Sequence, residues 1–460
     1  MKKNLLFILL LFLCFGLFAC AKKASDVKVE ERDATYSEVG GYTPAPGEYG
    51  YKESISGEDG GLSGKGYYDP EAGIPVSDAT GAISTPGEVE PGEAEPSDEP
   101  AMPTEEPVEP VEPEYPEAGQ LTASAYFDND HFGFWKGLLT SNQEEKDGLF
   151  KQYHDLKAFY ALNRVKVTLE GIPYAKVTID GFSGVTNSNG EVYLFPKEFK
   201  ETYTATIEIP TEDGLVTLTK EVTESELTLT KEELDLTMDK VNTIQLMFVI
   251  DTTGSMGDEI RYLKSEIADV INQVRASNAD TFITLGLVFY RDRGDDYVTR
   301  FYDFESNIDL QQPRLNKEYA DGGGDFPEAV TEALNKALEA QWSEKATKIL
   351  VHVADAPDHA SNYTKWYNAV LNLAKKGIRV ITVASSGIDK ETEFYFRCEA
   401  LLTNGCYGYL TNDSGIGYGH IEATTEEKMP VEYLNAMLVR LINGFHTGEF
   451  SEPVSWRGQE

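Results

Sequence analysis

Apolar residues change their spacing several times along this chain, and each change marks a different kind of structure. From residue 20 to about 118 there is no apolar period, and Pro, Gly, Glu and Ser dominate. From 160 to 238 apolar and polar residues alternate: Val165, Val167 and Leu169, then Val177 and Ile179, Val192 and Leu194, Ile207 and Ile209, Leu227 and Leu229. A period of two predicts half-buried strands. Asp180-Gly181, Asn187 to Gly190 and Glu212 to Gly214 supply the turns between them. From 241 to 445 continuous apolar runs alternate with three- and four-residue periods. The runs predict strands near 244–250, 282–290, 348–354 and 378–384, with a weaker one near 406–410. The longer periods, such as Met256, Ile260, Leu263, Ile267, Val270 and Val274, predict helices near 257–275, 327–341, 362–376, 391–402 and 430–443. Such alternation specifies an α/β fold whose mostly parallel sheet is covered on both faces.

The organisation expected is therefore a leader (1–19), an acidic Pro/Glu/Gly-rich disordered tether (20–118), an aromatic segment (119–159), a β-sandwich spacer (160–238), the α/β domain (241–445) and a tail (446–460). The aromatic segment, which includes Tyr126, Phe127, Phe132, Phe134 and Trp135, is too dense in rings for a tether and is expected to pack against a neighbouring domain. Its Asp128, Asn129 and Asp130 alternate loosely like calcium ligands, but the Gly and terminal Glu of a calcium loop do not follow.

Lys2 and Lys3 precede an almost wholly apolar Leu5–Phe18, which has the length of a signal h-region rather than a membrane span. Leu17-Phe18-Ala19-Cys20 resembles a bacterial lipobox, and the resemblance implies that Cys20 becomes the lipidated first residue of an extracytoplasmic, membrane-anchored protein at the cell surface. The tether carries no Lys or Arg from residue 66 to 118. At about 3.1 Å per residue in polyproline II form its fullest reach is on the order of 250–300 Å. Formal net charge is −38, from 78 acidic and 40 basic residues, which argues against nucleic acid and anionic membrane surfaces as ligands. Of the four cysteines, Cys398 and Cys406 lie beyond the leader and lipobox; in an oxidising compartment a short-range disulfide between them is expected, the alternative being two buried thiols.

The candidate chemistry lies where the run Ile244–Ile250 ends in Asp251-Thr252-Thr253-Gly254-Ser255-Met256. An acid and two hydroxyls at alternate positions sit on a strand-to-helix turn, at the carboxyl edge where open α/β sheets hold ligands. Hard oxygens of this kind suit Mg2+, Mn2+ or Ca2+. Two further segments match in order: Asp321-Gly322-Gly323-Gly324-Asp325-Phe326-Pro327-Glu328, and Lys348–Asp355, a second buried run ending in an acid.

These residues resemble the D-x-[ST]-x-S signature, the mid-domain loop and the later Asp of the von Willebrand factor type A domain. The resemblance implies a Rossmann-like doubly wound sheet and a metal-ion-dependent adhesion site formed by Asp251, Thr253, Ser255, Asp325 and Asp355. Gly324 is an alternative alignment for the mid-domain position, and Asp292 a further candidate unless it pairs with Arg291 or Arg293. Adhesive members commonly place Thr where Asp325 stands; an added carboxylate would weaken the metal's pull on a ligand. Residues 160–238, through Gly171–Ile179 and Thr186–Leu194, resemble a carboxypeptidase regulatory-type or Cna-B-type module.

The function implied is divalent-metal-dependent binding of a protein or extracellular-matrix-like ligand, without catalysis. The alternative is a structural component of an envelope complex with a merely stabilising metal. Metal-dependent hydrolysis ranks below both, because only Asp292 or Asp358 offers a base. His352 reads as a satisfied core histidine, Asp358 and His359 as the rim of the site, and Arg293-Gly294-Asp295 as a tripeptide without weight.

Overall fold

A computed structural model describes residues 116–140, 148–154, 161–238 and 241–458. The leader, Cys20 and nearly all of the expected tether lie outside the described residues.

The strands are β1 (Thr122–Tyr126), β2 (Val165–Glu170), β3 (Lys176–Ile179), β4 (Phe182–Val185), β5 (Glu191–Leu194), β6 (Thr202–Thr211), β7 (Gly214–Thr223), β8 (Glu226–Thr230), β9 (Thr243–Asp251), β10 (Phe282–Tyr290), β11 (Thr299–Glu305), β12 (Thr347–Ala354), β13 (Ile378–Ala384), β14 (Cys406–Leu410) and β15 (Glu432–Tyr433). The helices are α1 (Phe132–Thr140), α2 (Lys151–His154), α3 (Ile260–Ser277), α4 (Gln312–Lys317), α5 (Val330–Leu338), α6 (Tyr363–Lys376), α7 (Lys390–Leu402) and α8 (Leu434–Thr447).

An eight-stranded sheet runs in the order β11-β10-β9-β12-β13-β14-β1-β15. The five strands from β10 to β14 are parallel; β11, β1 and β15 run antiparallel to their neighbours. The apolar runs are buried on both faces, as a covered parallel sheet requires. On one face Ile244, Leu246, Phe248 and Ile250 meet Leu263 and Ile267 of α3 and Leu438 of α8. On the other, Met247, Val249 and Leu350 meet Val330 of α5, Val370 of α6 and Leu401 of α7. The chain leaves β9 for β10 on one side and later returns to β12 on the other. The order thus reverses beside β9, which opens a crevice at the carboxyl ends of β9 and β12.

The aromatic segment differs from expectation. Its strand β1 is an integral part of the sheet, pairing Ala123 with Leu410 and Tyr126 with Tyr407 on β14. The residues between β1 and β9 that form the β module are therefore inserted into the α/β fold rather than placed ahead of it. That module is a seven-stranded sheet in the order β4-β3-β6-β7-β8-β2-β5, its two halves joined through the single pair Thr223–Glu226. It is fixed to the α/β part by polar contacts. The Tyr174 hydroxyl lies 2.8 Å from Thr347 Oγ1, and the Asn404 amide accepts from Tyr193 N (2.7 Å) and donates to Tyr193 O (3.0 Å).

The expected disulfide is absent. Cys398 and Cys406 are both buried free thiols. Helix α7 places Cys398 in the core on one face of the sheet, whereas β14 turns Cys406 into the core on the other. Burial raises the pKa of both thiols, so neither is activated. Both are expected to escape alkylation in the native protein and to be modified together in denaturant without reductant, as peptide mass mapping would read. A 398–406 cross-linked peptide would contradict this.

Candidate functional site

Asp251 ends β9 and is fully buried. Its Oδ1 accepts from the Thr253 backbone N (2.9 Å) and from Thr253 Oγ1 (2.7 Å). Thr253 Oγ1 in turn lies 3.3 Å from Ser255 Oγ, and Ser255 stands exposed at the mouth of the crevice. The turn is held from beneath: Arg291 Nε donates to Thr252 O (3.1 Å), and Thr252 N donates to Tyr290 O (2.9 Å). Asp355, one residue beyond β12, approaches from the adjacent strand end, and a Ser255 hydrogen bond tempers its pKa.

The glycine loop closes over this turn. Gly254 N donates to Gly322 O (3.2 Å), and Asp321 N to Thr252 O (3.1 Å). Gly323 has φ +78°, and a Cβ there would lie 3.1 Å from Glu328 Oε1 and 3.5 Å from Thr253 Cβ. The bare backbone thus presses between those two side chains in a conformation few other residues adopt. Glu328 N donates to Pro357 O (2.9 Å) in an isolated parallel bridge with the strand exit of β12, which sets the Glu328 side chain toward Asp251 and Asp355.

The loop acid that joins the site is therefore Glu328 rather than Asp325. Asp325 is exposed and is not among the charges acting on Asp251, Asp355 or Glu328. Gly324 offers no side chain and leaves open space where one would stand. Of the expected set, Asp251, Thr253, Ser255 and Asp355 come together. Glu328 is the member that sequence reasoning missed, although it lies in the motif that was singled out; its burial beside two other acids is the signal.

These acids lack counter-charges. Asp251 Oδ2, Asp355 Oδ1 and Glu328 Oε2 are buried with no hydrogen-bond partner. Burial, then mutual repulsion, pushes Glu328 up to about 10, with Asp251, Asp292, Asp355 and Asp295 all contributing. Burial raises Asp355 to about 7, helped by Asp251. Burial raises Asp251 to about 6 against the two Thr253 hydrogen bonds. The Asp251 and Asp355 oxygens with the Thr253 and Ser255 hydroxyls form a hard-oxygen set that fits a divalent cation, with Glu328 beside them. Among the described residues no three or more His, Cys, Asp or Glu side chains are gathered as a metal cage. Neutral hydroxyls and water would have to complete the coordination.

A pH dependence follows from these raised values. Each carboxyl holds its proton more tightly folded than unfolded, so without metal the folded state binds more protons and its stability falls as pH rises. For Glu328 the window runs from its ordinary 4.5 to about 10. Denaturant melts of metal-stripped protein between pH 5 and 9 are expected to show a shallower decline for Glu328→Gln than for the unaltered chain. Parallel slopes would remove Glu328 from the buried cluster.

The surrounding residues resolve the other sequence candidates. Asp292 pairs with neither Arg291 nor Arg293 but with His359 Nε2, at 2.7 Å, on the rim. Asp358 is committed elsewhere: its Oδ2 accepts from Thr331 N (2.9 Å) and its Oδ1 from Asn362 (3.1 Å), which caps α5 and occupies it structurally. The Arg293-Gly294-Asp295 tripeptide is used internally. Arg293 bonds Glu332, and Asp295 Oδ2 accepts from Asp292 N (3.0 Å) and Gly323 N (2.9 Å). His352 is a satisfied core histidine, 2.7 Å from Glu399 Oε2 and 3.1 Å from the Tyr290 hydroxyl. Glu399 also accepts from Trp366 Nε1 (2.8 Å).

Residues 245–415 match the family model described as von Willebrand factor A domain. A matching relative is the "Alpha-protein kinase vwkA" of Dictyostelium discoideum, 27% identical over 186 residues, which cover 39% of this chain and 29% of that protein. Another is the human "von Willebrand factor A domain-containing protein 7", 39% identical over 93 residues, covering 20% of this chain and 10% of that protein. The chain thus spans less than a third of the length of either relative. Among solved structures, BatB from Bacteroides thetaiotaomicron is similar over 44% of this chain and 98% of its own, at 12% identity and a TM-score of 0.31.

Proposed function

We propose that the von Willebrand factor A domain of this chain is a binding module whose Asp251, Thr253, Ser255 and Asp355 hold one divalent cation beside Glu328, Mg2+ or Mn2+ by the hardness of the donors, for recognition of a protein partner. The observation that supports this reading is the trio of buried, unpartnered carboxylate oxygens beside two hydroxyls. Burying carboxylates without a counter-charge is costly, and a cation at that point removes the cost. When bound, the cation supplies an electrophilic position for an acidic side chain of the partner.

The chain's own residues set how that position behaves. Thr253 both orients Asp251 and keeps a neutral donor in the set. Exposed Ser255 places the second hydroxyl at the mouth. Glu328 is the member that tunes affinity: ionised, it adds negative charge, holds the metal more firmly and weakens its pull on a partner carboxylate. The Asp292–His359 pair on the rim gives the docking face a group able to contact an approaching acidic chain. Of the two bases that hydrolysis could use, Asp358 is held in a structural cap, which favours binding over turnover.

The proposal includes a surface location: lipidation at Cys20 and the acidic tether place the domain outside the cytoplasm. Capture of envelope proteins by the full chain is expected to need added Mg2+ or Mn2+, and to disappear with EDTA and with Asp251→Ala. Equal capture in all three conditions would refute metal-dependent recognition.

A further inference from the structure

A second site lies at the opposite end of β12 from Asp355. Lys348 lies seven positions before it in the chain, about 23 Å at ~3.3 Å per residue. There the β module and the α/β part enclose a cleft of about 700 Å³. That volume and an interdomain position are usual for small-molecule sites.

Its chemistry runs against that of the whole molecule. In a chain of net charge −38, the cleft is lined by Lys176, Lys348, Lys375 and Lys376 against Glu208 and Glu344. Lys176 is neutralised by Glu208 at 2.6 Å, and Lys376 Nζ donates to Leu338 O at 2.8 Å. Lys348 is different. It is only 7% exposed, it faces the cleft, and no hydrogen bond or ion pair links it to any described residue. Burial, then Arg379, pulls its ammonium down to about 8, with Glu344 offering only distant support. A buried ammonium without a partner is as costly as a buried carboxylate without one. Apolar surface completes the wall: Trp342, Leu338 and Tyr174 on one side, Val185, Pro210 and Leu215 on the other.

We propose that this cleft binds a small organic anion, its acidic head on Lys348 and Lys375 and its flat apolar body between Trp342 and the β-module wall. An anionic head meets Lys348, a buried cation that no described carboxylate pairs. The rings and aliphatic chains supply area for a body of drug-like size, and Asn335 and Asn372 add amide groups to the lining.

The test is titration of the full chain with 1-anilinonaphthalene-8-sulfonate, read by probe fluorescence and by energy transfer from tryptophan. One saturable site per chain is expected. Lys348→Met should weaken it at least tenfold while leaving the melting temperature unchanged or raised, since it removes an unpaired buried charge. Lys375→Gln, on the exposed rim, should weaken it severalfold and guards against misfolding of the first variant. Neutral N-phenyl-1-naphthylamine should bind more weakly than the sulfonate and be indifferent to Lys348→Met. Unchanged sulfonate affinity in both variants, or equal affinity for the neutral probe, would overturn the proposal.

Discussion

Asp251→Asn is expected to weaken divalent-cation binding on the order of 100-fold or more, beyond the 10–100-fold usual for a residue that only supports a ligand. The same change should raise the melting temperature of metal-free protein near pH 8. The two effects have one cause. Asp251 Oδ2 is buried and unpartnered, so its charge is an asset with a cation present and a cost without one. Asn keeps the size and can still accept from Thr253 N and Thr253 Oγ1, so the turn should survive. Asp325→Asn is the control: it is exposed, and metal affinity should stay within about twofold, as for a surface charge. Calorimetric titration and thermal melts with EDTA read both. Reduced metal-free stability in Asp251→Asn would mean that the carboxylate is a structural acceptor first.

Arg397→Met should cost about 3–5 kcal/mol, the loss typical when one partner of a buried ion pair is removed. Arg397 on α7 is fully buried. Its Nε donates to Asp128 Oδ2 at 3.0 Å, its other nitrogens reach Asp128 Oδ1 and Thr424 O, and Glu393 lies 3.5 Å away. Burial works to lower the guanidinium pKa, and the Asp128 carboxylate outweighs it and raises it. The side chain also lies over the rings of Tyr126 and Trp135. This one residue therefore fastens the β1–α1 segment to α7. With Met in its place, Asp128 would be left buried without its cation, and Glu393 would keep only Lys390. Asp128→Asn in the same chain should recover part of the loss, since it removes the stranded charge. Chemical denaturation of the single and double variants measures this; a loss under about 1 kcal/mol would place Arg397 among weak, solvent-screened pairs.

The core of the α/β part was legible because periodicity reports burial. The runs 244–250, 282–290, 348–354, 378–384 and 406–410 became β9, β10, β12, β13 and β14 within a residue or two. The turn chemistry was legible for the same reason: Asp251, Thr253 and Ser255 are adjacent, and local spacing sets their geometry. What escaped depends on partners remote in the chain. Thr122–Tyr126 has a small-residue sequence without alternation, and only pairing with β14, some 280 residues later, makes it a strand. Asp321, Asp325 and Glu328 share one loop, and the bridge of Glu328 to Asp358 is what selects the acid that faces the site. Cys398 and Cys406 are close in sequence, but a helix and a strand carry them to opposite faces of one sheet.

The central claim is that this acid–hydroxyl cluster is a single-cation site. Its most direct test is calorimetric titration of Mn2+ and Mg2+ into the metal-stripped chain at pH 7 in two buffers of different ionisation enthalpy. Because Glu328 and Asp355 are pushed up to about 10 and about 7, binding should saturate at one cation per chain and release protons to the buffer. Absence of saturable binding, or binding with no proton released, would contradict the account.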